Sequence, residues 1–192
     1  MRNQGILKAT NFVQELLKNK IPTGGTVIDG TMGNGNDTLF LYKQVGDSGK
    51  VYAFDLQVMA LENTRRIFRE NNVFIDNKPI QLILDGHENI GNYVKEAIDG
   101  AMFNLGYLPS GDKNIVTRPE TTLQAIKSTL ELLKKGGMMS LVLYYGHPGG
   151  IEEKNSILDY VGQLESKKYL VMECSYINHE NNPPIILLIE KK

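Results

Sequence analysis

The chain has 192 residues, 41% of them hydrophobic and 22% charged, with a formal net charge of −1. That is enough for one sizeable core and too little for two comfortable domains. No stretch approaches the roughly 20 apolar residues of a membrane span, and the near-neutral charge excludes a broadly basic nucleic-acid binder while leaving room for a local patch.

In chain order, Ile6, Leu7, Ala9, Phe12, Val13, Leu16 and Leu17 recur at helical spacing and predict an amphipathic helix over 6–19. Residues 1–20 lack the apolar run and small-residue cleavage site of a signal peptide. Pro22 to Gly25 breaks the helix. A short strand, Thr26 to Asp29, runs into a glycine-rich turn and a helix from Asp37 to Gln44. A strand over Lys50 to Asp55 and a helix over Met59 to Asn71 follow. Arg65, Arg66 and Arg69 cluster on that helix and read as a solvated face. Ile80 to Leu84 and Asp99 to Leu105 are the third and fourth strands. Pro119 to Leu133 is the clearest helix, with proline in its first turn and Gly136-Gly137 at its end. Met138 to Tyr145 is the fifth strand and Ile151 to Leu164 the last helix. Strands Tyr169 to Ile177 and Ile185 to Glu190 flank a polar turn, His179 to Pro184. The single cysteine, Cys174, rules out a disulfide within the chain and reads as a packing residue, which points to a reducing cytoplasm.

Strands alternating with helices predict a parallel sheet with crossover helices. The last two strands have no helix between them and should pair antiparallel. The expected fold is therefore α/β: one Rossmann-like, doubly wound domain over 1–192 with a C-terminal antiparallel hairpin, the N-terminal helix packed on it. That is the usual shape of class I S-adenosylmethionine-dependent methyltransferases.

The chemistry begins at Asp29-Gly30-Thr31-Met32-Gly33-Asn34-Gly35-Asn36-Asp37-Thr38, where a strand turns through three glycines into a helix. Glycines allow a sharp turn and close approach to a ligand, and ligands of open α/β sheets lie beyond the carboxyl ends of the strands. Taken alone the loop is equally an ordinary strand-to-helix turn. However, Asp29 opens it with a charge that repels a pyrophosphate, and Thr38 replaces the third glycine of the dinucleotide pattern. An acidic opening suits a cationic ligand such as S-adenosylmethionine. Asp55, with Leu56 and Gln57 beside it, ends the second strand about 20 residues on, where a carboxylate accepts ribose hydroxyls; a helix cap is the alternative. Asp85, Gly86 and His87 end the third strand, where the carboxylate can accept an adenine amino group and the histidine either packs beside the base or closes a loop. Amino-methyltransferases often carry Asn or Asp followed by Pro-Pro-aromatic at the fourth strand end. Here Asn104-Leu105-Gly106-Tyr107 fits that pattern loosely, without the prolines. Tyr144-Tyr145-Gly146-His147 after the fifth strand reads as a substrate wall or, alternatively, a surface loop.

The segments DGTMGNGNDT, FNLGYLPSGDK followed by Thr117 to Thr122, YYGHPGG and NHENNPPIILLIEK occur in order along nearly the whole chain. Together they resemble the YtqB-like family, long labelled as rRNA methylases and associated with the MnmM-type tRNA methyltransferase activity. The resemblance implies methyl transfer from S-adenosylmethionine to the amine of 5-aminomethyl-2-thiouridine at the tRNA wobble position. Position 36 is Asn where loops of the family often carry His, which removes a titratable group there.

The expected donor site comprises Asp29, Thr31, Met32, Gly33, Asn34, Gly35, Asn36, Asp37, Thr38, Asp55, Leu56, Gln57, Asp85, Gly86, His87, Asn104 and Leu105. A primary amine is mostly protonated at neutral pH, so the enzyme must favour its neutral form. Asn104 and the Leu105 carbonyl are expected to orient it, and His147 or Tyr145 to take its proton. Tyr107, Pro109, Tyr144 and Tyr145 are expected to hold the base, with Lys113 and Arg118 on phosphate. No metal is expected, the partner is the tRNA anticodon stem-loop, and the oligomeric state, monomer or homodimer, stays open. Another rRNA or tRNA base, a small-molecule substrate, or simple ligand binding are the rival readings.

Overall fold

A computed structural model of the chain describes residues 8–108, 111–112 and 115–192. Ile6, Leu7, Pro109 and Lys113 lie outside the described residues. Seven strands form one sheet: β1 (Thr26–Asp29), β2 (Lys50–Asp55), β3 (Ile80–Leu84), β4 (Ile98–Leu105), β5 (Leu133–Leu143), β6 (Tyr169–Cys174) and β7 (Ile185–Lys191). The helices are α1 (Ala9–Leu17), α2 (Asn36–Val45), α3 (Val58–Glu70), α4 (Ile90–Tyr93), α5 (Pro119–Leu132) and α6 (Gly150–Gly162).

The strand order is β3-β2-β1-β4-β5-β7-β6. Strands β1 to β5 run parallel, while β7 pairs antiparallel with both β5 and β6. The expected doubly wound sheet with a C-terminal hairpin is thus present, with β7 inserted between β5 and β6. The chain winds outward from β1 in one direction and from β4 in the other, so the switch point lies between these two strands, at the pairing Asp29↔Met102.

Period-2 alternation divides the apolar residues between two cores. Val27 and Met102 face α1 to α3, where they join Val13, Leu17, Leu41 and Phe68. Ile28 and Phe103 face the opposite layer with Phe54, Ile126 and Leu141. Because both faces are covered, the central strands read as nearly unbroken apolar runs. Phe54, Phe68 and Phe103 are among the largest fully buried side chains, and truncating any one to alanine should cost about 3–5 kcal/mol.

Three local expectations need correction. Gly136-Gly137 does not end the helix, since α5 stops at Leu132 and the strand begins at Leu133. The glycines instead absorb an irregularity, in which β4 advances from Ile98 to Gly100 while β5 advances from Leu133 to Met138. Gly136 takes φ +77°, as a bulge of this kind requires. The fifth and sixth strands end earlier than expected, at Leu143 and Cys174, which leaves Tyr144 and Tyr145 in the loop. The segment after β3 forms a short 3-10 turn (His87–Asn89) and α4, neither expected. Arg65, Arg66 and Arg69 do lie on an exposed face of α3. No described helix is long and apolar enough to cross a membrane.

Candidate active site

The carboxyl ends of β1 to β5 open into a cleft of about 1300 Å³, to which α1 and the β6–β7 connection also contribute. The β1 loop is shaped by close approach. A Cβ on Gly30 would lie 2.0 Å from the Phe103 ring, and one on Gly35, at φ +78°, would lie 2.6 Å from Thr64 Oγ1. Only glycine fits either position. Asp29 is fully buried behind this loop, where it accepts the Thr31 amide (3.1 Å) and the Thr38 hydroxyl (2.6 Å). Burial, reinforced by the nearby Asp37 charge, pushes its carboxyl up to about 7.

Asp55 crosses between loops, accepting the Gly33 amide at Oδ2 and the Gln57 amide at Oδ1, both at 2.9 Å. Burial raises its pKa, with these amides pulling it back. Asp85 accepts the Gly86 amide (2.7 Å), Asn89 Nδ2 (2.9 Å) and the Tyr93 hydroxyl (2.9 Å). The Asn89 hydrogen bond is the main reason its pKa is lowered. His87 is buried edge-on to Phe103. Its Nδ1 lies 3.1 Å from the Gly30 carbonyl, so that nitrogen donates, and its Nε2 lies 3.4 Å from Thr122 Oγ1. Burial lowers its pKa, which keeps the ring neutral.

The β4 and β5 ends form the other half. Thr31 Oγ1 accepts the Asn104 amide (2.6 Å). The Asn104 side chain donates through Nδ2 to Asp37 Oδ2, and Gln14 of α1 donates to Asp37 Oδ1 (2.6 Å). Burial raises the Asp37 pKa against these two donors. Asn104 Oδ1 and His147 Nε2 are buried and have no hydrogen-bond partner. His147 Nδ1 lies 3.1 Å from the Pro148 carbonyl and therefore donates, which leaves Nε2 as an acceptor. Its ring meets Tyr107 edge-on, with centroids 6.0 Å apart. Tyr107 and Tyr144 are 46% and 42% exposed, so their faces remain accessible. Lys154 sits over the Tyr145 ring at 4.7 Å. Glu153, buried at the start of α6, accepts the Thr117 and Thr122 hydroxyls (2.7 and 2.6 Å), tying the segment around Arg118 to α5 and α6.

Of the expected donor-site residues, Thr31 to Asn34, Asn36, Asp37, Asp55 to Gln57, Asp85 to His87, Asn104 and Leu105 line the cleft. Asp29, Gly35 and Thr38 are not on its wall; they brace the loop from behind. Tyr107, Arg118, Tyr144, Tyr145 and His147 also line it, and Asn182 reaches it from the β6–β7 connection. The Tyr144 segment and the Asn104 segment are adjacent, not opposed. The Tyr144 amide donates to the Leu105 carbonyl (3.0 Å), which occupies the oxygen expected to orient an amine. Sequence reasoning missed Thr10, Asn11 and Gln14 of α1 on the cleft wall. Their one signal was a helix face carrying uncharged polar residues.

The profile of the family described as "Putative rRNA methylase" matches residues 51–190. The "tRNA (mnm(5)s(2)U34)-methyltransferase, chloroplastic" of Arabidopsis thaliana is 36% identical over 195 residues, covering 98% of this chain and 71% of the relative. A crystal structure titled "putative rRNA-methylase" from Clostridium thermocellum is 42% identical, with a TM-score of 0.93 over 98% of this chain and all of that one. A "putative methyltransferase" from Streptococcus mutans, solved in complex with SAH, is also 42% identical, with a TM-score of 0.86 over 98% and 100% of the two chains.

Proposed function

The chain belongs to the family described as "Putative rRNA methylase", and from that premise we propose that it methylates the amine of 5-aminomethyl-2-thiouridine at the tRNA wobble position, giving 5-methylaminomethyl-2-thiouridine. The cofactor is S-adenosylmethionine. The residues fit such a ligand. Asp55 and Asp85 line the cleft together with Asp37, a set that repels a pyrophosphate and suits a cation bearing ribose and adenine. When bound, that group supplies an electrophilic methyl on sulfonium sulfur. On the protein side, Asp55 and Asp85 each retain lone pairs that would accept ribose and base hydrogen bonds, and Thr31 to Asn34 and Asn36 line the same cleft and would hold the rest of the donor.

The observation that carries the acceptor assignment is a pair of buried, unpartnered acceptors on two residues that line the cleft, Asn104 Oδ1 and His147 Nε2. An amine offers N–H donors that can satisfy either acceptor, and a carbonyl or ether oxygen satisfies neither. Asn104 orients the amine and His147 Nε2 receives its proton, with Tyr145 on the same wall. Tyr107 and Tyr144 offer ring faces for a splayed-out base, and base–aromatic stacking contributes about 1–3 kcal/mol. Lys8 and Arg118 line the cleft at exposed positions, suited to the phosphates of an anticodon stem-loop. The nucleoside in the Arabidopsis relative's name, mnm(5)s(2)U34, is the product of this chemistry.

The test is mass spectrometry of tRNA nucleosides from a deletion strain. We expect loss of the methylaminomethyl nucleoside and accumulation of its aminomethyl precursor. An unchanged nucleoside profile would contradict the assignment.

A further inference from the structure

We propose that Asp37, clamped by Gln14, is a positioning residue that fixes the polarity of Asn104 and thereby makes the cleft select a substrate that donates N–H. The proposal rests on the amine reading above and adds the device that enforces it. A side-chain amide can present either oxygen or NH₂ by a half-turn. Asp37 Oδ2 accepts from Asn104 Nδ2, which holds the NH₂ inward and leaves Oδ1 without a partner. Gln14 Nε2 occupies the second carboxylate oxygen. Thr31 fixes the backbone of Asn104 through its amide, so the remaining freedom is the flip of the amide itself. A flipped Asn104 would oppose the substrate amine with a second donor.

This arrangement predicts that the donor or acceptor character of position 14 in α1 controls a side chain on β4. With Asp37→Asn, the amide at 37 can point either way. Adding Gln14→Glu supplies an acceptor at 14, draws the NH₂ of residue 37 toward it and leaves oxygen facing Asn104, so the native polarity returns. Adding Gln14→Lys supplies a donor, turns the NH₂ of residue 37 toward Asn104 and inverts the seat. Changing Asn104→Asp in the Gln14→Lys/Asp37→Asn background restores an acceptor toward the cleft, because a carboxylate has no donor end.

The four proteins are compared for kcat/KM on tRNA bearing the aminomethyl group and for affinity toward S-adenosylmethionine, and the three that keep Asn104 also by its ¹⁵N-edited side-chain amide resonances. Gln14→Glu/Asp37→Asn should be the more active of the two double variants, both of which lack the Asp37 charge. Gln14→Lys/Asp37→Asn should fall about 100-fold or more below Gln14→Glu/Asp37→Asn, the scale of losing a preorganised hydrogen bond at the reacting group, with no matching difference in donor affinity between the two. The triple variant should recover although it keeps the Gln14→Lys change, which separates amide polarity from simple charge repulsion. One Asn104 amide proton should be shifted downfield and protected from exchange in the wild type and in Gln14→Glu/Asp37→Asn, and lose both properties in Gln14→Lys/Asp37→Asn. Equal activity of the two double variants, a difference in donor affinity between them as large as their difference in activity, or an unprotected Asn104 amide in the wild type would overturn the proposal. Wild-type protein inactive on the aminomethyl tRNA but with the predicted amide pattern would defeat the substrate reading and leave the seat standing.

Discussion

The two halves of the cleft are built on opposite principles. At the ends of β1 to β3, Asp29, Asp55 and Asp85 all accept hydrogen bonds from the chain's own amides and hydroxyls. At the ends of β4 and β5, two acceptors lack partners and two tyrosines stand half exposed. The first half holds its shape before any ligand arrives, as suits a donor whose structure never varies. On the proposed assignment, the second leaves hydrogen-bonding capacity that a substrate would complete, and specificity would reside there.

That contrast can be broken most forcefully at Asn104 and His147. Asn104→Ala should lower kcat by about 10²–10³, the cost of losing a preorganised polar group at a reacting centre, while calorimetry finds S-adenosylmethionine affinity intact. His147→Ala should act in the same direction on turnover. Full turnover in both would dissolve the acceptor half. On the other side, Asp55→Ala should weaken donor binding by about 1.5–3 kcal/mol, the range for hydrogen bonds to a charged group. A folded variant with unchanged donor affinity would remove Asp55 from the donor half.

A separate effect concerns stability. Asp29 has its carboxyl raised from 3.8 to about 7 in the folded protein. A raised acid is held more tightly as the neutral form by the fold, so its contribution is fully present below the unfolded value and is lost as pH rises through the folded one. Asp37 and Asp55 are the charged groups that face it. Asp29→Asn cannot ionise, and its amide can donate to Thr38 once that hydroxyl turns. Denaturant midpoints should therefore show the wild type losing stability relative to Asp29→Asn as pH rises from about 4 to about 7.5. A pH-independent difference would mean that Asp29 does not titrate in this range.

The sheet and its order of elements were legible because both faces are covered, which writes the central strands as apolar runs between amphipathic helices. The bulge in β5 was hidden because Gly136-Gly137 after an apolar helix also looks like a helix terminator. The 3-10 turn at His87 and the four-residue α4 are shorter than one period of any hydrophobic pattern. In the site, the residues at the strand ends were legible from their position after each strand. Gln14 was not, because nothing local says that the polar face of α1 will reach Asp37. Asp29, Gly35 and Thr38 belong to the same motif as the cleft-lining residues, but one-dimensional spacing does not tell which side of a loop faces inward.

The claim that the second half of the cleft selects an amine is tested most directly with purified enzyme, S-adenosylmethionine and two tRNAs, one carrying 5-aminomethyl-2-thiouridine and one unmodified. Methyl transfer should occur on the first alone, and its rate should rise with pH as the amine loses its proton. Equal transfer to both tRNAs, or none to the first, would contradict it.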